Sequence, residues 1–90
     1  MKEVDLSNIK INNITLLCKI LKNNSCLRGL YLYSKQIKNL ISFKFLSNSC
    51  LKILGLSWNK IKDIIPLQLL KNNYYLKVLH LSYNQIKKYL

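Results

Sequence analysis

Leu51-Lys52-Ile53-Leu54-Gly55-Leu56-Ser57-Trp58-Asn59-Lys60-Ile61 returns in nearly the same form as Leu76-Lys77-Val78-Leu79-His80-Leu81-Ser82-Tyr83-Asn84-Gln85-Ile86. Both stretches carry leucine at the first, fourth and sixth places, asparagine at the ninth and isoleucine at the eleventh. Neither the alternation of a half-buried strand nor the three-and-four spacing of a helix fits the whole stretch. Leu27, Leu30, Leu32 and Ile37 repeat the apolar places with Lys35 in the asparagine position, and Val4, Leu6 and Ile11 form a fainter copy with Ile9 there. The copies start at Met1, Leu27, Leu51 and Leu76, so the period is nearly constant. Self-similarity at this length makes the fold a stack of like units, which constrains the chain more than any single motif.

The second halves repeat as well. Asn24, Asn48 and Asn73 each stand three places before the leucine that opens the next copy. Ahead of them lie apolar residues at helical spacing: Ile14, Leu17 and Leu21, then Leu40, Phe43 and Leu46, then Ile65, Leu69 and Leu70. Pro66 suits the first turn of its helix, where a missing N–H costs little. Each unit therefore reads as short strand, tight turn, helix and return loop.

The pattern resembles the leucine-rich repeat family, L-x-x-L-x-L-x-x-N-x-I, over nearly the whole chain, and the helical second halves look like a shortened ribonuclease-inhibitor-like class. The resemblance implies an α/β solenoid of about four repeats, a single domain over residues 1–90. Parallel strands would line its concave face and short helices its convex face. One repeat cannot bury its leucines alone, so neighbours stack and their strands pair. The family's asparagine bonds backbone groups of adjacent turns, a role open to Asn59 and Asn84 but not in the same way to Ile9 and Lys35. The N-terminal half is expected to be less regular.

Fifteen Lys+Arg stand against three Asp+Glu, a formal charge of +12. Such a balance points to an anionic partner. A competing source is coding bias in an AT-rich genome: there is no Ala, and Lys, Asn, Ile, Leu and Tyr make up about two thirds of the chain. No apolar run has the length of a signal peptide or a membrane span, which fits a cytoplasmic protein without a membrane contact. Three cysteines in such a chain read as reduced thiols, although Cys26 and Cys50 occupy equivalent places in adjacent units.

On a coil of this kind the residues between the leucines face the concave surface. Tyr31, Tyr33, Trp58, His80 and Tyr83 would then share one sheet face and its adjoining turn. Aromatic side chains with polar tips are enriched at binding hot spots. The second place is basic throughout, as Lys2, Arg28, Lys52 and Lys77, and the twelfth reads Asn12, Lys38, Lys62 and Lys87. These features favour a non-enzymatic protein-interaction module with Tyr31, Tyr33, Trp58, His80, Tyr83, Arg28, Lys52 and Lys77 as contacts, the basic residues suiting an acidic partner. A polyanion or nucleic-acid binder using the basic columns is the alternative, and a fragment of a longer array without independent function is a third reading.

Catalysis has little to work with. Glu3 and Asp5 are the only neighbouring acids and are expected to sit beside Arg28 and Lys2 as surface ion pairs, while His80 has no second ligand in register. No metal-ligand spacing, phosphate loop or nucleophile motif occurs, so no cofactor is expected. The chain opens directly in a repeat and stops at "IKKYL" without evident caps. Leu79, Leu81, Ile86 and Leu90 are therefore expected to lack cover, and the last strand to invite end-to-end self-association.

Overall fold

Strand, turn and helix follow one another in the first three units of the computed structural model, and strand and turn in the fourth; the structure describes residues 2–22, 27–46, 50–70 and 76–87. The elements are β1 (Lys2–Asp5), α1 (Ile14–Leu21), β2 (Leu27–Tyr31), a 3₁₀ helix (Ile41–Leu46), β3 (Ile53–Gly55), a second 3₁₀ helix (Ile65–Leu70) and β4 (Val78–His80). The strands form one parallel sheet in the order β1-β2-β3-β4. Glu3 pairs with Gly29, Gly29 with Ile53 and Ile53 with Val78, each the third residue of its unit. The strand register thus reproduces the spacing of the repeat. In β1 the register slips between Lys2 and Glu3, within the unit whose repeat is faintest.

Pairing extends past the strands into the turns. Leu32 N–H donates to the Gly55 carbonyl at 2.8 Å, Leu56 N–H to that of His80 at 2.9 Å, and Trp58 N–H to that of Ser82 at 3.0 Å. Beyond the turn, Lys60 N–H reaches the Ile37 carbonyl at 2.9 Å and Lys87 N–H that of Lys62 at 2.7 Å. Between the third and fourth units these bonds run from the strand entry, where Lys77 N–H donates to the Lys52 carbonyl at 2.9 Å, to the twelfth place, as buried peptide groups require.

Leucines at the first, fourth and sixth places and isoleucine at the eleventh point to the helix side of the sheet. Leu27, Leu30, Leu32 and Ile37 are buried in the second unit, and Leu51, Leu54, Leu56 and Ile61 in the third. These middle units have a neighbour on either side. Val4, Leu6 and Ile11 of the first unit and Leu81 and Ile86 of the fourth are only partly buried, and Leu79 is 38% exposed. Truncating a central leucine such as Leu54 to alanine would cost about 2–5 kcal/mol on general grounds.

The helical halves pack in a row, α1 on the first 3₁₀ helix and that on the second. Leu40, Phe43 and Leu46 are buried as the spacing implied, and Cys18 fills the interior beneath α1. In the third unit Ile64 and Leu67 enter the core, whereas Ile65, an expected core residue, is 41% exposed. Leu69 and Leu70 carry no side-chain description, and Asn24, Asn48, Asn73 and Cys26 lie outside the described residues. Among the described residues only the first unit makes an α-helix. Its eight residues at 1.5 Å rise span about 12 Å, and six residues of 3₁₀ helix at 2.0 Å rise span the same distance. The first unit is the longest and has chain to spare for the looser span, and its shorter neighbours stretch theirs. The thirteenth place starts each one: Asn13 caps α1 by accepting from Leu16 N–H at 2.9 Å, while Asn39 and Asp63 accept from Ile41 and Ile65 N–H at 2.8 and 2.9 Å.

The ninth-place asparagines hold the turns. Asn59, only 6% exposed, accepts from Lys35 and Ile37 N–H at 2.9 and 3.0 Å. Its amide donates to the carbonyls of Leu32, Leu56 and Ser57 at 2.9, 2.9 and 3.2 Å. Asn84 does the same one unit on, accepting from Ile61 N–H and donating to Leu56 and Leu81. Lys35 cannot make this set, but its ammonium donates to the Ile9 carbonyl and so ties the first turn to the second. We expect Asn59→Ala to lower stability by about 3 kcal/mol, because several buried backbone groups lose their partner together, and Asn84→Ala by about 1 kcal/mol. Urea midpoints at constant m-value measure both, and equal shifts would count against this ranking.

Candidate functional site: an aromatic turn beside an exposed sheet face

The third, fifth and seventh places of each unit face away from the helices. They hold Glu3, Gly29, Ile53 and Val78 in one row and Asp5, Tyr31, Gly55 and His80 in the next, with Ser7, Tyr33, Ser57 and Ser82 in the third. None of these twelve positions is a lysine, whereas two of the chain's three acids are among them. The positive charge lies around this face and not on it.

The two glycines shape it. A Cβ at Gly55 would stand 2.7 Å from Tyr33 Oη and 2.9 Å from Tyr31 Cδ1. The missing side chain therefore seats two tyrosine rings, whose centroids lie 5.8 Å apart. A Cβ at Gly29 would meet Glu3 Cγ at 2.8 Å, so that gap admits the glutamate. Its carboxylate Oε1 accepts from Tyr31 Oη at 2.6 Å across the strands. Glu3 is thus engaged with a tyrosine, and Asp5 Oδ1 accepts from Ser7 N–H at 2.9 Å. The bonds from Ser7, side chain and backbone, hold the Asp5 carboxyl below the usual carboxylate range.

At the eighth place the backbone turns left-handed. Ser34, Trp58 and Tyr83 have φ of 57°, 61° and 60°, values that bulky side chains rarely adopt. The neighbouring asparagine points inward, so the eighth side chain is driven outward. Trp58 is 58% and Tyr83 68% exposed, yet their rings stack on each other with centroids 3.9 Å apart and planes 9° apart. Tyr33, Ser57, Trp58, His80, Ser82 and Tyr83 enclose a shallow groove of about 300 Å³.

The expected contact residues therefore divide. Tyr33, Trp58, His80 and Tyr83 come together in this groove, and Tyr31 adjoins it through Tyr33. Arg28, Lys52 and Lys77 stand at the strand entries, three to six places back along the chain from the groove residues of their own units. Arg28 Nη1 donates to the Cys50 carbonyl at 3.4 Å, and Lys52 and Lys77 are exposed. Cys18 is inert, since burial pushes its thiol up to about 12. Gly29 and Gly55 were not legible as site residues in the sequence, because their role appears only once the strand register lays a neighbour's side chain over them.

Two measurements follow from this face. The hydrogen bond to Glu3 raises the Tyr31 hydroxyl from 10 to about 12. The raised value means that the contact is fully present below pH 10 and is lost as pH rises through about 12. Spectrophotometric titration of Glu3→Gln should return one tyrosine towards 10, and an unchanged titration would remove the assigned cause. Gly55→Val should displace Tyr31 and Tyr33 and alter the near-ultraviolet circular dichroism with its far-ultraviolet spectrum retained.

Residues 47–64 and 72–88 match the family model described as Leucine Rich repeat. No curated protein and no solved structure matches the chain. The matched segments hold the two units with intact asparagine turns, Asn59 and Asn84, and the register and hydrogen bonds described above give those residues their family roles. Those two segments are similar to leucine-rich repeats.

Proposed function

We propose that this chain is a non-enzymatic protein-recognition module. Its units stack as a solenoid with the sheet on the concave side and the short helices on the convex side. Tyr31, Tyr33, Trp58, His80 and Tyr83 contact a protein partner. Leucine-rich-repeat domains generally mediate protein–protein interaction and are typically non-enzymatic, which supports the class of function. No helix among the described residues is long and apolar enough to cross a membrane.

One observation carries the reading: the stacked, exposed Trp58–Tyr83 pair, held on left-handed turns beside the Tyr33 and His80 groove. Exposed aromatic surface that is already ordered loses little side-chain entropy on binding, and that is how aromatic anchors come to dominate interfaces. Arg28, Lys52 and Lys77 at the strand entries suit an acidic segment of the partner. A partner spanning both ends of the strands would meet the aromatic groove with one part and these bases with another.

A photo-reactive residue placed at Tyr33 or Tyr83 should form adducts with a discrete partner in extracts of the source cells. The same residue at Ile20, exposed on the opposite side in α1, should not. With the captured partner purified, Trp58→Ala should weaken binding by about 2 kcal/mol, roughly thirtyfold. Adducts equally abundant from Ile20, or affinity unaffected by Trp58→Ala, would remove the concave-face assignment.

A further inference from the structure

The lysines outside the strands are not evenly spread. Along the far rim of the turns, Lys38, Lys60 and Lys62 line a groove of about 370 Å³ together with Gln85. Lys60 and Lys62 alternate with buried Ile61, and buried Asn59 precedes them, so the ladder of the turn directs both side chains outward. The bond from Lys87 N–H to the Lys62 carbonyl brings the next unit's twelfth-place lysine into the same row. Asp63 is the one acid in this part of the sequence, and its carboxylate is engaged in starting the second 3₁₀ helix. Like charges spaced by one strand separation repel, and an anionic chain laid along the row relieves that repulsion.

Coding bias alone places lysine wherever a side chain is exposed, yet the exposed positions of the sheet face hold Glu3, Asp5, Val78, His80 and Ser82 and no lysine. A second cluster, Lys19, Lys22 and Lys44, has its ammonium groups 5.5 to 5.7 Å from the centre of the Phe45 ring. Those charges are held against an aromatic face. The rim lysines instead border open space, just beyond the turn that carries Trp58.

We propose that the Lys38–Lys60–Lys62 groove binds the phosphodiester backbone of a single-stranded nucleic acid, with the Trp58–Tyr83 stack receiving its bases. The lysines supply the sequence-independent attraction to phosphate, and the exposed aromatic pair supplies the flat surface on which bases stack. That combination favours nucleic acid over an anionic membrane, which offers phosphates without bases. The rim lysines lie outside the protein contact proposed above, whereas the Trp58–Tyr83 pair belongs to both, so a bound strand and the protein partner compete for that pair.

The test is fluorescence anisotropy of a labelled oligonucleotide of ~12 nucleotides, titrated with the full chain between low salt and about 0.15 M salt. Three proteins are compared: the native chain, the rim variant Lys38→Gln/Lys60→Gln/Lys62→Gln, and the charge-matched control Lys19→Gln/Lys22→Gln/Lys44→Gln. All the replaced side chains are exposed, and circular dichroism verifies that both variants are folded. The rim variant should lose about tenfold or more in affinity, with a log–log salt slope shallower by about 2, while the control stays within about threefold. Trp58→Ala should weaken binding with the salt slope unchanged. No saturable binding at physiological salt, equal losses from the two triple variants, or displacement of the oligonucleotide by phosphatidylserine vesicles at matched phosphate would overturn the proposal.

Discussion

The carboxamide of Asn59 is the group on which the surface of this protein depends. It sits inside the bend where the strand ladder ends, and its five hydrogen bonds serve backbone groups of two units. A buried peptide group without a partner is costly, so the chain can bend here only where a side chain substitutes for the missing strand. That inward-pointing amide dictates its neighbours. The residue before it turns left-handed and faces solvent, and the residue after it faces solvent as well. Trp58 and Lys60 are therefore exposed for the reason that Asn59 is buried.

This division sorts the surface into regions of different chemistry. The open sheet face is free of lysine and carries two acids, and its glycines let tyrosines lie across neighbouring strands. Its downstream border is aromatic and then basic, and its upstream border is basic. On the helix side, three lysines gather around Phe45. A net charge of +12 is thus a sum over distinct regions, and it describes none of them well.

Much of the architecture could be read from the sequence because the repeat is a statement about register. Apolar residues, mostly leucine, that recur at matching places in the units leave the strands one way to pair, and the observed partners follow it. Helix type was not legible in the same way. Ile65 has as good an apolar spacing as Ile64, and only the tighter winding of the 3₁₀ turn brings Ile64 and Leu67 inward. The exposed aromatic residues were identifiable from their places between the leucines. Their stacking, and the pairing of Glu3 with Tyr31, depend on rotamers and cross-strand distances that no linear pattern encodes.

The equal reach of the two helix types has a consequence for how such a chain can change. An eight-residue α-helix and a six-residue 3₁₀ helix cross the same gap of about 12 Å. A unit can therefore lengthen or shorten its helix side by rewinding that segment, and the strand it feeds still arrives in step with its neighbour. Insertions and deletions are absorbed where they do no harm. The sheet and the turns that display Trp58 and Tyr83 keep their alignment, although the units are not equal in length.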